Sequence, residues 1–119
     1  MLTPLRRILF ATRYSCQGLR EGWRRQAALR YEIRLSLLLV PLGYVVGRTG
    51  VERALLIGTW LLVIIVELIN SAVETIVDRI GSELHELSGH AKDLGSAAVF
   101  CSILLAGCVW LLILLDHWR

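Results

Sequence analysis

The sequence predicts an all-α membrane protein: an N-terminal amphipathic surface helix followed by three transmembrane helices, all in one domain, residues 1–119. Three observations predict it. Hydrophobic residues make up 55% of the 119 residues and the mean hydropathy is +0.61, more apolar surface than the interior of so small a soluble domain can hide. Eight of the thirteen basic residues lie between Arg6 and Arg34, all of them arginine, opposed there by Glu21 and Glu32. Three apolar runs then follow. That order places the basic segment at a membrane surface and excludes a nucleic-acid-binding arm.

Residues 1–32 read as the surface helix. Leu5, Leu9, Thr12, Cys16, Leu19, Trp23 and Ala27 recur at spacings of three and four, with Arg6, Arg13, Arg20 and Arg24 on another face. Such a helix lies in the interface plane with its guanidinium groups among lipid phosphates. Gly18 and Gly22 are expected to interrupt or bend it.

The first span covers about residues 33–47. It is short for a hydrocarbon core of ~30 Å, so the surface helix is expected to run on into it, with Arg34 snorkelling and Pro41 kinking it. Arg48, Glu52 and Arg53 make a polar turn. The second span covers about residues 54–77 and the third about 94–115, where Gly95, Ser96, Ala97, Ala98, Ala106 and Gly107 permit close helix approach. Between them lies the most polar stretch, residues 78–93. The arginines hold the N-terminus in the cytoplasm, which brings the 78–93 loop to the same side and leaves the 48–53 turn outside. No secretory leader is expected, since the first strongly apolar run begins after residue 30 and lacks a small-residue cleavage site. Cys16, Cys101 and Cys108 form no CxxC pair and no metal-ligand spacing.

The second span carries the chemistry. Asn70, Glu74 and Asp78 stand three, seven and eleven residues after Glu67, so at about 100° per residue all four share one stripe of a helix. A carboxylate after a long apolar run is costly unless paired or bound to a cation. Oxygen ligands suit Mg²⁺, and a carboxylate-held cation beside a basic group is the usual apparatus for handling polyphosphate. Lys92, the sole lysine, sits beside Asp93 in the polar loop. The bland alternative is a structural polar seam between helices. His85 and His90 are five apart, not the four a helical zinc-protease motif needs. No GxxxxGK(S/T), GxGxxG or HRD motif is present, so any ATP chemistry here is not that of a familiar soluble kinase fold.

The run from Glu67 to Ala98 resembles the signature of the prokaryotic diacylglycerol kinase family: E-x-x-N-S-x-x-E-x-x-x-D, then G-S-E-x-H-E-L-S-G, then A-K-D. Arg7, Tyr14-Ser15, Gly18-Leu19-Arg20, Trp23 and Ala27-Ala28 also fall in matching places, so the resemblance covers nearly the whole chain. It implies a homotrimer in the bacterial inner membrane with sites shared between protomers. It implies transfer of the γ-phosphoryl group of Mg-ATP to the hydroxyl of diacylglycerol, giving phosphatidic acid. Carried over by position, Glu67 is the general base and Glu74 a ligand of Mg²⁺, with Asn70 and Asp78 in support. Lys92 and Asp93 match the pair near the phosphates, and Arg7, Tyr14, Glu83, Leu84 and His85 match positions that hold the nucleotide. The lipid-substrate region matches Arg7, Ala11, Thr12, Arg13, Tyr14, Ser15, Cys16, Arg20, Glu21, Gly22 and Trp23. It continues through Ala28, Leu29, Arg30, Tyr31 and Glu32 to Val45, Val46, Gly47, Arg48, Arg53, Glu67 and Ser96.

One departure bears on the chemistry. Where the family has a second metal-binding glutamate, which also touches ATP, this chain has Gln26, whose amide oxygen ligates Mg²⁺ without the charge. On a continuous helix Glu32 does not replace it, since six residues place it about 240° around. His90 stands where the family often has arginine. The resemblance leaves three readings: a diacylglycerol kinase, a polyprenol (undecaprenol) kinase using the same base, metal and ATP site, and a membrane scaffold that kept the fold and lost the chemistry at Gln26.

Overall fold

The computed structural model describes residues 3–81 and 86–119. Among these the chain is all-helical: α1 (Pro4–Arg25), α2 (Ala27–Val46), α3 (Gly50–Ile80) and α4 (Glu86–Trp118). Helices α2, α3 and α4 pack in sequence, each against the next, with α1 lying off the start of α2.

Helix α1 begins where the residues dictate. Thr3 is its N-cap, its hydroxyl accepting from the backbone N–H of Arg6, and Pro4 occupies the first turn, where a missing N–H costs nothing. Neither Gly18 nor Gly22 interrupts it. It ends instead at Gln26, in extended conformation at φ −110°, ψ 107°. Two contacts hold this elbow. Arg30 Nη1 reaches back to donate to the carbonyls of Trp23 (3.0 Å) and Arg24 (2.9 Å), two acceptors left open by the end of α1. Gly22 meanwhile lets Leu29, which is fully buried, fold in where a Cβ would collide with it. The expected single helix over 1–32 is therefore two, and residues 27–32 open α2. No residue of α1 is buried.

Helix α2 runs through Pro41 without ending. It stops at Gly47, against which the backbone and side chain of Arg53 pack too closely for a Cβ. The polar turn is shorter than expected. Thr49 caps α3 by accepting from Glu52 N at 3.1 Å, and Glu52 reaches back to accept from Arg48 N at 3.1 Å, so Glu52 and Arg53 belong to the first helical turn. The expected 78–93 loop also shrinks, since Asp78 to Ile80 finish α3 and Glu86 to Asp93 begin α4.

Helices α3 and α4 are long and apolar enough to cross a membrane. On α3 the face turned inward is Leu56, Trp60, Val63, Glu67, Asn70, Glu74 and Val77, alternating by four and three as in a coiled-coil seam. Helix α4 answers with Ala91, Gly95, Val99, Ser102 and Ala106, small enough to bring the backbones close. Indole N–H groups tie the bundle together: Trp60 donates to Ser36 Oγ on α2 (2.7 Å) and Trp110 to the Leu56 carbonyl (3.1 Å). At the far end His117 Nε2 meets Glu52 Oε1 at 2.7 Å. Large apolar side chains including Leu37, Leu38, Ile65, Ile69, Ile76, Phe100 and Leu112 remain exposed, as expected of helices that face lipid or other chains.

Candidate active site

The inward seam of α3 turns polar halfway along. Leu56 and Val63 fill it in one half; Glu67 and Asn70 occupy the equivalent positions in the other, only 6% and 7% exposed. The same four-three register that buries the leucine thus buries the carboxylate. Along one turn, Asn70 Nδ2 points at Glu74 Oε1 at 3.5 Å, while Asn70 Oδ1 is buried with no hydrogen-bond partner. Glu74 is half-buried and Asp78 exposed, so the four-residue stripe runs from the interior to the helix end.

Lys92 closes that end. Its Nζ lies 2.8 Å from Asp78 Oδ1, across from α4 to α3. Its sequence neighbour Asp93 is exposed and points elsewhere, because adjacent helical residues diverge by about 100°. The hydrogen bond that Lys92 donates to Asp78, with the charges of Asp78 and Glu74, holds the Lys92 ammonium above its usual range.

Glu32 enters the site by a route the sequence conceals. With the chain broken at Gln26, the angular argument against Glu32 no longer applies. Its carboxylate is half-buried, one oxygen is sealed without a partner, and Glu67 is within electrostatic reach. Glu67 is within reach of Glu74 in turn. Glu67 thus stands between Glu32 and Glu74, the latter two helical turns further along α3, with Lys92 at the polar end.

A groove of about 770 Å³ lies between α1 and α3. Of the residues singled out from the sequence, Ser15, Glu21, Gly22 and Gln26 line it. Gly18, Leu19 and Arg25, and on α3 Leu68, Ser71, Ala72 and Thr75, line it too and were not anticipated. The α3 set has its own three-four spacing beside the acidic stripe, a signal that was available. Ser71 and Thr75 donate to the carbonyls of Glu67 (2.9 Å) and Ser71 (2.8 Å), which leaves their oxygen lone pairs as acceptors.

Other residues singled out are distributed as follows. Arg7, Ala11, Thr12, Arg13, Tyr14, Cys16 and Arg20 are exposed along α1, and Ala28 and Tyr31 on α2. Leu29 and Arg30 make the elbow, and Trp23 carries the Arg34 guanidinium 5.4 Å over its ring. Ser96 follows Gly95, which lies against Asn70. Val45, Val46, Gly47, Arg48 and Arg53 sit at the opposite end of the α2–α3 hairpin, with Arg53 stacked on Tyr44 at 4.4 Å. Fourteen residues of helix separate Arg53 from Glu67, about 21 Å. Glu83, Leu84 and His85 lie outside the described residues.

The donors Glu74, Gln26 and Asn70 all offer oxygen, as a hard cation requires. They do not converge within one chain. Gln26 faces the groove with Ser71 and Thr75, whereas Glu74 faces α4. Among the described residues no three of His, Cys, Asp or Glu are placed around one point.

Comparison with known proteins identifies the family. The model of the family described as prokaryotic diacylglycerol kinase matches residues 13–114. The chain is 49% identical over 108 residues to a diacylglycerol kinase of Haemophilus influenzae, covering 91% of this chain and 92% of that protein. It is 48% identical over 115 residues to that of Escherichia coli K12, covering 97% and 94%. Against that of Pseudomonas aeruginosa it is 45% identical over 113 residues, covering 95% and 92%. A match of this length, with the buried seam and its carboxylates included, places the chain in the prokaryotic diacylglycerol kinase family.

Proposed function

We propose that this chain is the protomer of a membrane lipid kinase that moves the γ-phosphoryl group of Mg-ATP to the hydroxyl of diacylglycerol, giving phosphatidic acid. The observation that carries the reading is the burial of Glu67 in an otherwise apolar seam, one helical turn from Asn70 and two from Glu74. A carboxylate kept there at the expense of its hydration serves as the base. Glu67 takes the proton of the lipid hydroxyl, whose oxygen bonds to the γ-phosphorus. The bond from that phosphorus to the bridging oxygen breaks, and ADP leaves with the electron pair. Glu74 and Gln26 would hold Mg²⁺, which offsets the phosphate charge. Lys92, tethered by Asp78, supplies the fixed positive charge at the polar end. Arg7, Tyr14, Asp93 and the 83–85 segment hold the nucleotide.

The lipid has a path. The groove between α1 and α3 offers apolar walls with Ser71 and Thr75 oxygens. In this reading α2 is the third membrane span, its 20 residues being about 30 Å long. Helix α1 rests on the cytoplasmic surface of the bacterial inner membrane. The failure of Gln26 and Glu74 to converge in one chain supports a site shared between protomers, and the count of three is what the family resemblance implies.

The test is transfer of labelled γ-phosphate from ATP, with Mg²⁺, by purified protein in mixed micelles of diacylglycerol and, separately, of undecaprenol. Label in phosphatidic acid that disappears in Glu67→Gln, with assembly unchanged, is the expected result. Undiminished label in Glu67→Gln would remove Glu67 as the base. Label in the polyprenyl product alone would reassign the substrate. Absence of label from an assembled protein would favour the scaffold reading, for which Gln26 is the specific observation.

A further inference from the structure

Asn70 is a seam residue whose side chain is confined from outside its own helix. It is 7% exposed, its Nδ2 faces Glu74 Oε1 at 3.5 Å, and its Oδ1 is sealed without a hydrogen-bond partner. Oδ1 points instead at α4, where it meets the bare backbone of Gly95. A Cβ built at Gly95 would overlap Oδ1 and crowd Cγ at 3.1 Å and Cβ at 3.8 Å. Turning the amide over would set its oxygen against the Glu74 carboxylate. Nor is α4 free to retreat. Lys92, one turn before Gly95, is bonded to Asp78, and Trp110 further along is bonded to the Leu56 carbonyl.

We infer that Gly95 is a positioning residue for the metal-binding carboxylate: by offering no side chain to Asn70 Oδ1, it fixes the Asn70 amide with Nδ2 toward Glu74. The inference rests on the reading of Glu74 as a metal ligand. An outer hydrogen-bond partner that orients a ligating carboxylate typically governs metal affinity by about 10–100-fold. A methyl at Gly95 forces the amide to swing, and Glu74 loses the donor that aims it.

The experiment measures Mn²⁺ affinity by electron paramagnetic resonance, with a non-hydrolysable ATP analogue, on the full chain in detergent micelles. Wild type, Gly95→Ala, Asn70→Ala, the double variant and Glu74→Gln are compared. Gly95→Ala is expected to weaken Mn²⁺ binding by about ten-fold, with the Michaelis constant for lipid little changed. In the Asn70→Ala background the second substitution should add nothing, since the group it collides with is gone. Wild-type Mn²⁺ affinity in Gly95→Ala, or an equal further loss in the Asn70→Ala background, overturns the inference. If Gly95→Ala fails to assemble, recovery of assembly in the double variant supports the contact and failure to recover overturns it. Loss of Mn²⁺ in Glu74→Gln but not in Gly95→Ala would overturn this inference alone. Normal binding in Glu74→Gln would remove the metal-ligand reading and the inference with it.

Discussion

Lys92 Nζ and Asp78 Oδ1 stand 2.8 Å apart, joining α4 to α3 beyond the carboxylate seam. The pair is solvent-accessible, so its worth to stability is small. Its use is directional: it holds the sole lysine at the mouth of the site.

Asp78→Asn should therefore lower activity more than stability, and it should do so in a pH-dependent way. Asp78 holds the Lys92 proton above the usual range. Without that carboxylate the ammonium loses its proton at lower pH, so the alkaline fall in kcat should move to lower pH in Asp78→Asn. An unmoved alkaline limb would mean that Lys92 does not carry the charge that phosphate transfer uses.

Gln26→Glu adds a charge at the second of the two proposed metal ligands. The Mg²⁺ concentration for half-maximal activity should fall, because cation affinity rises with the charge count of the ligands. A titration of rate against Mg²⁺ decides it, and an unchanged midpoint would show that Gln26 is not a ligand.

The elbow is the third test. Gly22→Ala inserts a methyl into Leu29, and Arg30→Ala strips two carbonyls of their donor. Each should shift α1 relative to the groove, raising the Michaelis constant for lipid severalfold while thermal melting changes little, because α1 buries no side chain of its own. Limited proteolysis should show faster cleavage near Gln26 in both. A normal lipid constant in both variants would mean that the groove does not take the substrate.

The carboxylate stripe was legible because helical geometry is local: offsets of three, seven and eleven fix a face before any packing is known. The elbow was not. Gln26 is an ordinary helix-forming residue with glycines nearby that look better suited to a break, and the chain bends there because Arg30 and Leu29, several residues on, reach back over it. Glu32, which the family resemblance places in the lipid region, stands half-buried within electrostatic reach of Glu67, a proximity that its position in the sequence does not reveal. Lys92 adjoins Asp93 in the sequence, whereas the carboxylate it bonds, Asp78, lies 14 residues away, brought near because α3 and α4 pack together.

The four-three seam of α3 also sets where this chain can drift. Along Leu56, Val63, Glu67 and Asn70 a single added methyl meets another helix, and at Gly95 it meets the one atom that has nowhere to go. On the opposite face, Leu61, Ile65, Ile69 and Ile76 look outward, toward surroundings that register only oiliness. There leucine, isoleucine, valine and phenylalanine are interchangeable. One helix thus carries two rates of permissible change, and a saturation library read position by position should reveal them as alternating bands with the helical period.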